Sequence, residues 1–590
     1  MDTPPKLFRQ RAREWAEAPA LRAKRRGLWQ GVSWAGYYER ARAVGLGLAA
    51  LGLARGDRLA VLAENRPEWL YVDLGAQGMG FVGNGIYPTS SPEQVAHVLV
   101  DSGCAVLFVE NQEQLDKALA VRGRCPALRR IVVMEREGLR HFRDAGVGFF
   151  DDLLEQGLAL ARTEAGRFDA AIDAGRPADI AFLVYTSGTT GAPKGAMITH
   201  ANVMAQIAQA PGYLGASFGD RTLSFLPLCH IAERMASVFN PLAAGLLVHF
   251  PESAGTVFND LREVEPQVVF APPRFWEKLH SQVELAMRDA VAPARWVYER
   301  ARALPHDSTA PATTPPMQRL LRSVAFHNIR RFLGLARLKT ALTGAAPVPP
   351  ELVRWFQALG IELREAFGMT ETCGFVTATL AGRVRLGWCG VPGPGIQIRL
   401  GAENELLVRG PNVFAGYWGQ PEKTAEALDA EGWLHTGDCA EISGEGELAI
   451  RDRLKDILIT SGGKNITPSA IENLLKFSPY ITDAVAVGDG RHYVTALVML
   501  DHEQVARFAR DRQVPYTDYA SLARAEAVVA LVRDEVERAN AQLARVEQVK
   551  DFRIIDTLLT AEDEELTPTM KLKRRFVLRK YADLIATMYP

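Results

Sequence analysis

Alternation of short apolar runs with helix-like segments is the feature that most constrains the fold of this chain. Through roughly its first 450 residues, runs rich in Val, Ile, Leu and Phe are separated by segments with apolar residues at helical spacing. Such alternation is typical of α/β layers in which helices cover largely parallel sheets. The expected strands are RLAVLAEN (58–65), AVLFVE (105–110), RIVVME (130–135), DIAFLVYT (179–186) and QVVFAP (267–272), and EQVAHVLVDSG (93–103) is an expected helix.

The length of the chain and a change of pattern after Asp452 indicate two domains. At 590 residues the chain exceeds what one hydrophobic core normally holds. After Asp452 come a glycine-bearing loop, SGGKN, two strand-like stretches and a charged helical region near residues 520–547. We therefore predict an α/β fold with a large N-terminal domain of layered α/β subdomains (1–453) and a small α+β C-terminal domain (454–590).

The composition excludes several classes of protein. The net charge is −1, which argues against a general nucleic-acid binder. No run of eighteen apolar residues occurs, so no membrane-spanning helix is expected, and the charged N-terminus lacks the apolar segment of a signal peptide. The six cysteines lie far apart without C-x-x-C spacing, which disfavours a disulfide framework or a metal cluster and fits a reducing cytoplasm.

The segment 185–195, YTSGTTGAPKG, carries four Ser or Thr hydroxyls, three glycines and one lysine. Glycines allow backbone N–H groups to approach an anion, hydroxyls add donors, and the Lys194 ammonium attracts charged oxygens. The segment therefore indicates a polyphosphate site, and a mobile surface turn is the alternative. It differs from the P-loop motif because Pro193 precedes the lysine, no Ser or Thr follows it, and the next residues are typical of a strand.

This loop resembles the phosphate-loop signature of the adenylate-forming superfamily, which includes acyl-CoA synthetases, peptide-synthetase adenylation domains and luciferases. Five further segments match the superfamily in the expected order, and together they span most of the chain. One departure is Thr569-Met570, where most members have Ser-Gly. The five segments are LTGAAPVPPEL (342–352), REAFGMTET (364–372), GWLHTGD (432–438), DRLKDILITSGGKNITPSAIE (452–472) and LTPTMKLKRR (566–575).

The resemblance implies a site for ATP and AMP. Phe367 is expected to stack on the adenine, Asp438 to accept both ribose hydroxyls, and Arg453 to reach the ribose or the α-phosphate. Mg²⁺ is expected on Thr186 and Glu371, whose oxygens suit a hard cation. The full set of residues implied for ATP and AMP is Thr186, Ser187, Gly188, Thr189, Thr190, Gly191, Lys194, Gly344, Ala345, Ala346, Glu365, Phe367, Gly368, Thr370, Asp438 and Arg453.

The resemblance also implies four catalytic residues. Lys571 aligns with the lysine that stabilises the adenylation transition state, and Lys194 and Glu371 are expected to act with it through preorganised charge. Lys571 lies in a basic run, so a solvated charged face is the alternative for that segment. His230 falls where relatives have a residue near the carboxylate of the acid, and a structural histidine is its alternative.

A mobile C-terminal domain is part of the same expectation. Lys455 occupies the hinge position, and Gly462 and Gly463 form the loop that would pass close to the pantetheine arm of CoA. A domain that turns about the hinge lets Lys571 serve the first step and then leave room for the attacking thiol. The resemblance thus implies ATP and CoA as substrates and Mg²⁺ as cofactor.

Four segments narrow the resemblance to long-chain fatty acyl-CoA synthetases. A tunnel for an alkyl chain discriminates acids through about 0.8 kcal/mol per buried methylene. Two alternatives remain, a ligase that delivers the acyl group to a carrier protein and a non-catalytic nucleotide- or lipid-binding relative. The segments are GNGIYPTSSPEQ (83–94), FLPLCHIAERM (225–235), APPRFWEKL (271–279) and VGDGRHYVTALVMLD (487–501).

Two further patterns have competing interpretations. The segment 317–339 has apolar residues at helical spacing with five arginines among them, which suits either peripheral contact with an anionic membrane at its inner, cytoplasmic face or a helix packed on the sheet. The stretch 215–219 fits the G-x-S-x-G of serine hydrolases. That nucleophile needs a turn from strand to helix, whereas a Pro-Gly loop before it and a strand after it are expected here, so we interpret the match as chance.

Overall fold

A seven-stranded sheet forms from the apolar runs of the first 200 residues in the computed structural model, which describes residues 1–186, 192–302, 325–559, 565–566 and 572–589. The strand order is β7-β6-β5-β3-β4-β8-β9, and every neighbouring pair is parallel except the β8–β9 hairpin. The strands are β3 (Arg58–Leu62), β4 (Val82–Ile86), β5 (Val106–Val109), β6 (Arg130–Val133), β7 (Val147–Phe149), β8 (Ile180–Thr186) and β9 (Lys194–Thr199).

Helices cover both faces of this sheet, which explains why its strands are almost continuously apolar. Leu59 and Val61 contribute to one core cluster, whereas Ala60 and Leu62 contribute to another, because successive side chains of a strand point to opposite faces. The helices are α2 (Trp34–Ala50), α3 (Pro67–Met79), α4 (Pro92–Ser102), α5 (Gln112–Val121), α6 (Phe150–Thr163), α7 (Arg167–Asp173) and α8 (His200–Leu214).

Local sequence signals set the helix ends and one close helix contact. A capping box at Ser91 begins α4, and Gly103 ends it with φ of +61°, a conformation that glycine adopts without steric cost. The backbones of α2 and α6 approach so closely that a β-carbon on Gly157 would lie 1.8 Å from the Ala43 carbonyl oxygen. A glycine is therefore required at position 157.

A five-stranded sheet, in the order β12-β13-β14-β15-β16, forms the second layer. Strands β12 to β14 are parallel, and β15 and β16 continue the sheet in antiparallel fashion. Trp276 and Phe356, both fully buried, centre its core. Its elements are β12 (Val268–Ala271), β13 (Thr340–Thr343), β14 (Leu363–Met369), β15 (Gly374–Ala378), β16 (Val391–Pro392), α11 (Val257–Val264), α12 (Pro273–Asp289), α13 (Ala292–Arg302), α14 (325–332) and α15 (Pro350–Ala358).

Two smaller sheets complete the part of the chain before residue 454. The first has the order β10-β11-β1-β2, and the second is the antiparallel sheet β17-β18-β19-β20. Their elements and neighbouring helices are α1 (Pro4–Glu14), β1 (Pro19–Arg25), β2 (Leu28–Ser33), β10 (Arg221–Leu223), α9 (Ile231–Arg234), α10 (Asn240–Ala244), β11 (Leu247–Phe250), β17 (Gln397–Leu400), β18 (Glu405–Arg409), α16 (Pro421–Ala427), β19 (Leu434–Ile442) and β20 (Leu448–Arg453).

The C-terminal part packs around cores made only of its own residues, the first of which is Leu458. The domain boundary at 453/454 stays a prediction that these cores support. The elements are β21 (Leu458–Ile459), β22 (Asn465–Ile466), α17 (Pro468–Lys476), β23 (Ile481–Val487), β24 (Val494–Leu500), α18 (His502–Asp511), α19 (Tyr519–Arg524), α20 (Glu526–Asn540), β25 (Val549–Ile554), α21 (Arg574–Lys580) and α22 (Ala582–Ala586).

The structure confirms the α/β class and the expected strands, which are β3, β5, β6, β8 and β12, and the expected helix, α4. One detail was wrong. Pro211 and Gly212 do not form a loop before the G-x-S-x-G stretch but lie inside α8, whose last turn is held by the buried side chains of Tyr213 and Leu214. The stretch thus joins a helix to a strand, the reverse of a hydrolase nucleophile turn. Among the described helices, none has the length and apolar character needed to cross a membrane.

Candidate functional site

A cleft of about 1640 Å³ brings together residues from both sheets, from the small antiparallel sheet and from the C-terminal part. Ten of the residues implied by the sequence line it, although they come from five separate segments. They are Thr186, Lys194, His230, Ala345, Ala346, Gly368, Thr370, Glu371, Arg453 and Lys455. Ser187 to Gly191 and Lys571 lie outside the described residues.

The phosphate-loop candidate is the connection of the β8–β9 hairpin, where Thr186 pairs with Lys194 in register. The far side of β9 pairs with a second segment, because Ala196 bridges to Tyr417 and Met197 N donates to the Gly416 carbonyl oxygen over 2.9 Å. The Lys194 ammonium lies 4.0 Å from the centre of the Tyr417 ring. Tyr417 therefore forms one wall of the pocket around the lysine.

Glu371 lies in a short 3₁₀ turn, Thr370–Thr372, at the end of β14. Just before the turn, β14 approaches β15 closely, since a β-carbon on Gly368 would lie 2.1 Å from the Gly374 carbonyl oxygen. The buried side-chain amide of Gln206 donates to the Thr372 carbonyl oxygen over 3.0 Å. Glu371 is itself buried and accepts a hydrogen bond of 2.8 Å from the Tyr417 hydroxyl. The turn thus presents one oriented carboxylate to the cleft.

The residues expected around adenine follow β13 and form β14. Ala345 has φ of +67°, a left-handed conformation that costs energy in a residue with a β-carbon and is common at functional sites. Phe367 is half-buried and packs against the core of the first sheet. Gly344, Glu365, Phe367 and Asp438 do not line the cleft. The Glu365 carboxylate accepts a hydrogen bond of 3.2 Å from Gly387 N. Burial raises the pKa of Glu365 to about 8.

Asp438 and Arg453 form the candidate ribose site on neighbouring strands, β19 and β20. Arg453 Nε lies 2.8 Å from Asp438 Oδ1. The second oxygen, Oδ2, is buried without a hydrogen-bond partner among the described residues. Burial raises the pKa of Asp438 to about 6, although the Arg453 charge acts in the opposite direction. An unpartnered carboxylate oxygen is an acceptor for a hydroxyl donor.

His230 caps the N-terminus of α9, where Ala232 N donates to its Nδ1 over 3.2 Å. The ring also lines the cleft. Behind it lies Glu233, whose buried carboxylate accepts hydrogen bonds from the Ser224 and Ser237 hydroxyls. Burial raises the pKa of Glu233 to about 8. His230 therefore has a structural role as a cap and also faces the cleft.

One region of the cleft is lined by apolar side chains from helix, strand and loop. These side chains also form a core cluster between α8 and the five-stranded sheet, so the wall is rigid. A surface of this kind accommodates an alkyl chain, because burial of each methylene is favourable. The residues are Tyr213, Leu214, Leu246, Val268, Phe270, Leu342 and Phe375.

The C-terminal part presents one of its faces to the cleft. Leu572 to Arg575, which follow Lys571 directly, line it, whereas Gly462 and Gly463 are exposed and do not. Lys455 is exposed in the turn after β20. The described residues from Leu572 to Arg575 therefore lie at the cleft, and the two glycines do not.

Contacts with α12 hold the C-terminal part in this position. The His280 ring stacks on Phe477 with 4.9 Å between their centres. Asp289 forms an ion pair with Arg507. His280 and Asp289 lie on α12, whereas their partners lie at the end of α17 and on α18 of the C-terminal part. The two contacts therefore depend on how the two parts are oriented.

Tyr417 is the site residue that the sequence reasoning missed. It contacts both Lys194 and Glu371, yet it lies in none of the segments that carry the resemblance. A usable signal existed, because a tyrosine follows Gly416 and precedes Pro421, the first residue of α16. Such a glycine–aromatic turn before a helix indicates a side chain placed at a specific point.

The residues present fit a magnesium ion that is shared with a nucleotide. Among the described residues, no group of three or more His, Cys, Asp or Glu side chains could hold a metal ion. Mg²⁺ normally uses one or two carboxylates together with substrate phosphates and water. Glu371 and Thr186 both face the cleft, so their oxygens suit this mode of binding.

Comparison with known proteins agrees with the geometry. The AMP-binding enzyme family matches residues 8–418, and the AMP-binding enzyme C-terminal domain matches residues 455–590. The long-chain-fatty-acid--CoA ligase FadD15 of Mycobacterium bovis is 32% identical over 573 residues, which is 95% of this chain and 93% of that protein. The long-chain-fatty-acid--CoA ligase ACSBG1 of Bos taurus is 32% identical over 610 residues, or 98% of this chain and 83% of that protein.

Solved structures show the same fold. The adenylation domain of a carboxylate reductase from Mycobacterium chelonae superposes with a TM-score of 0.77 at 22% identity, covering 100% of this chain and 91% of that one. The anthranilate CoA ligase AuaEII, solved with anthranoyl-AMP, gives a TM-score of 0.73 at 21% identity, covering 99% and 98%. By sequence and by fold, this chain belongs to the AMP-binding enzyme family.

Proposed function

We propose that this protein is a long-chain fatty acid–CoA ligase that forms an acyl-adenylate from ATP and the acid and then transfers the acyl group to CoA. The observation that carries the proposal is the convergence of Thr186, Lys194, Glu371 and Arg453 on one cleft that also has an apolar wall. Relatives named long-chain-fatty-acid--CoA ligase align over almost the whole chain, which supports the choice of acid and acceptor.

The first step is attack of a carboxylate oxygen on the α-phosphorus of ATP, with pyrophosphate as the leaving group. Both reactants are anions, so the step needs fixed positive charge at the reacting oxygens. Lys194 supplies one such charge from the β8–β9 hairpin, and Lys571 supplies a second at the α-phosphate. Magnesium held by Glu371 and Thr186 would neutralise phosphate oxygens and orient the leaving group.

Nucleotide binding is assigned to the residues that the resemblance implies, of which Ala345, Ala346, Thr370 and Arg453 line the cleft. Asp438 accepts the ribose hydroxyls through Oδ2, the oxygen that has no partner among the described residues. Gly344 to Ala346 and Phe367 hold the adenine, and Thr370 contacts a phosphate oxygen. Arg453 reaches the ribose or the α-phosphate while it remains paired with Asp438.

The second step is attack of a thiol on the acyl-adenylate, which releases AMP. Lys571 and the thiol need the same space, so the C-terminal domain turns about Lys455 between the steps. In that turn the loop with Gly462 and Gly463 approaches the pantetheine arm. The exposed position of these glycines, and the position of Leu572 to Arg575 at the cleft, support assignment of the present arrangement to the first step.

Transfer to a carrier protein is the alternative for the second step. One solved structure with the same fold is the A-PCP didomain of a carboxylic acid reductase from Segniliparus rugosus, which is the reason to keep this alternative. The named relatives at about 32% identity are CoA ligases, and they favour CoA.

The experiment that tests the function is a pair of measurements on the purified protein. ATP–pyrophosphate exchange reports the first step, and AMP release with and without CoA, across a series of saturated fatty acids, reports the second. We expect exchange that depends on the fatty acid and AMP release that CoA increases. Absence of exchange with every acid would overturn the proposal. AMP release that only an acyl carrier protein increases would show that the acceptor is a carrier protein and not CoA.

We propose a cytoplasmic location with peripheral contact at the inner membrane face, where the substrate dissolves. The basic residues of 317–339 support this contact. It would be electrostatic, because Phe326, Ile329 and Leu333 of that segment are buried in the core of the second sheet. Residues 317–324 lie outside the described residues. Flotation with anionic and neutral liposomes tests this contact, and equal recovery with both would remove it.

A further inference from the structure

Tyr417 lies between two oppositely charged residues of the proposed site. Its ring contacts the Lys194 ammonium, which lies 4.0 Å from the ring centre, and its hydroxyl donates to Glu371 Oε1 over 2.8 Å. Within the described part of the chain, no ion pair shorter than 4.0 Å joins Lys194 to Glu371, and both side chains contact Tyr417 instead. The tyrosine therefore separates a cation and an anion that share one cleft.

The tyrosine is held firmly in this position. Its ring is buried and packs edge-on against Phe414 with 4.9 Å between centres. Its backbone N–H donates to the Thr424 hydroxyl over 2.9 Å, and its backbone bridges to Ala196 on β9. A side chain fixed by packing and backbone contacts can set the position of more mobile neighbours.

We propose that Tyr417 is a positioning residue for the phosphate end of the site, an inference that rests on the proposed function. Its hydroxyl orients the Glu371 carboxylate by engaging Oε1 and leaving the other oxygen for a divalent cation. Its ring keeps the Lys194 ammonium apart from Glu371, so that both charges remain available to the nucleotide. Without the ring the two side chains would neutralise each other.

Two substitutions separate these roles. Tyr417→Phe removes the hydroxyl and keeps the ring, so Glu371 loses its orienting donor while Lys194 keeps its support. Tyr417→Leu removes both, so Lys194 can pair with Glu371. Loss of a group that orients a metal ligand typically weakens metal affinity by roughly 10–100-fold.

The test measures binding rather than turnover. Mn²⁺, followed by electron paramagnetic resonance in the presence of a non-hydrolysable ATP analogue, reports the metal–nucleotide site. Adenosine, which carries no phosphate, reports the remainder of the pocket. We expect Tyr417→Phe to weaken Mn²⁺ binding by roughly tenfold or more, Tyr417→Leu to weaken it further, and both to bind adenosine like the parent protein.

A matched control is Tyr38→Phe, which removes another tyrosine–carboxylate hydrogen bond. The Tyr38 hydroxyl donates to Asp169 over 2.7 Å, at a place outside the cleft, so Mn²⁺ binding should not change. Unchanged Mn²⁺ binding in Tyr417→Phe, or equal losses of Mn²⁺ and adenosine binding, would overturn the inference. If the parent protein itself bound neither probe, the proposed function would fail instead.

Discussion

Asp438 and Arg453 face each other in register across β19 and β20, and their ion pair engages only one of the two carboxylate oxygens. The arginine side chain is 51% exposed, whereas the aspartate side chain is 6% exposed. Burial of the carboxylate therefore outweighs the attraction of a partner that water screens, and the pKa of Asp438 rises to about 6. The other oxygen, Oδ2, is buried and has no hydrogen-bond partner among the described residues.

The raised pKa predicts a pH dependence of nucleoside binding. The ribose hydroxyls donate to the charged carboxylate, so bound adenosine favours the deprotonated form. Affinity should be constant above the pKa of Asp438, about 6, and fall by up to roughly tenfold per pH unit below it. Calorimetric titration with adenosine, which has no phosphate that titrates in this range, measures the effect. The control is Asp438→Asn, and an inflection that persists in it would assign the proton to another group.

Lys571→Ala should separate the two half-reactions. The lysine is proposed to stabilise charge at the α-phosphate only in adenylation, so its loss should lower ATP–pyrophosphate exchange by roughly 10²–10³-fold. Thioester formation from supplied acyl-AMP and CoA should stay within a few-fold of the parent rate. Lys550→Ala, which removes an exposed lysine of the C-terminal part that does not line the cleft, is the matched control. Equal loss of both half-reactions would contradict the assignment.

Lys455→Pro tests the hinge. Proline restricts φ to about −65°, so the C-terminal domain should be confined to part of its range and one half-reaction should fall far more than the other. The same two assays measure the effect, and Lys455→Ala, which leaves the backbone free, should keep both rates. Two normal rates in the proline variant would place the hinge elsewhere.

The ion pair between Asp289 and Arg507 should favour the domain arrangement that we assign to the first step. Asp289→Arg places like charges across the contact between α12 and α18, which should lower pyrophosphate exchange by roughly two- to fivefold, as expected for a partly exposed pair. The exchanged pair Asp289→Arg/Arg507→Asp should recover most of the rate. Arg524→Ala, which breaks an ion pair with Asp556 inside the C-terminal part, is the control. Failure of the exchange to recover the rate would exclude this contact.

Leu246→Phe tests the apolar wall. Leu246 is buried and lines the cleft, so a larger side chain should shorten the space for the acyl chain. Each methylene that no longer fits costs about 0.8 kcal/mol, or roughly fourfold in kcat/KM. The ratio of kcat/KM for a long acid to that for a short acid should therefore fall. A uniform loss across all lengths, with a lowered thermal midpoint, would indicate general disruption of the core.

Local patterns in the chain were sufficient for the elements that form the scaffold. The runs at 58–65 and 179–186 form β3 and β8. Their consecutive apolar side chains indicate a buried strand without information from distant parts of the chain. Glu371 and Asp438 could be singled out because each lies in a motif of consecutive residues that resembles the adenylate-forming superfamily. The Pro-Gly pair at 211–212 misled the same reasoning, since the burial of Tyr213 and Leu214 stabilises the helix beyond it.

Tyr417 shows where such patterns stop being informative. Its partners are 223 positions away at Lys194 and 46 positions away at Glu371. The residues next to Tyr417 in the sequence do not indicate either partner. The free oxygen of Asp438 and the burial that raises its pKa likewise depend on which strands meet. Composition, periodicity and short motifs predicted the α/β class, and the resemblance that the motifs carry indicated the charged residues proposed for the site, because these signals reside in neighbouring residues. Distances, burial and pairing came from the packed chain, because they arise between segments that only folding brings together.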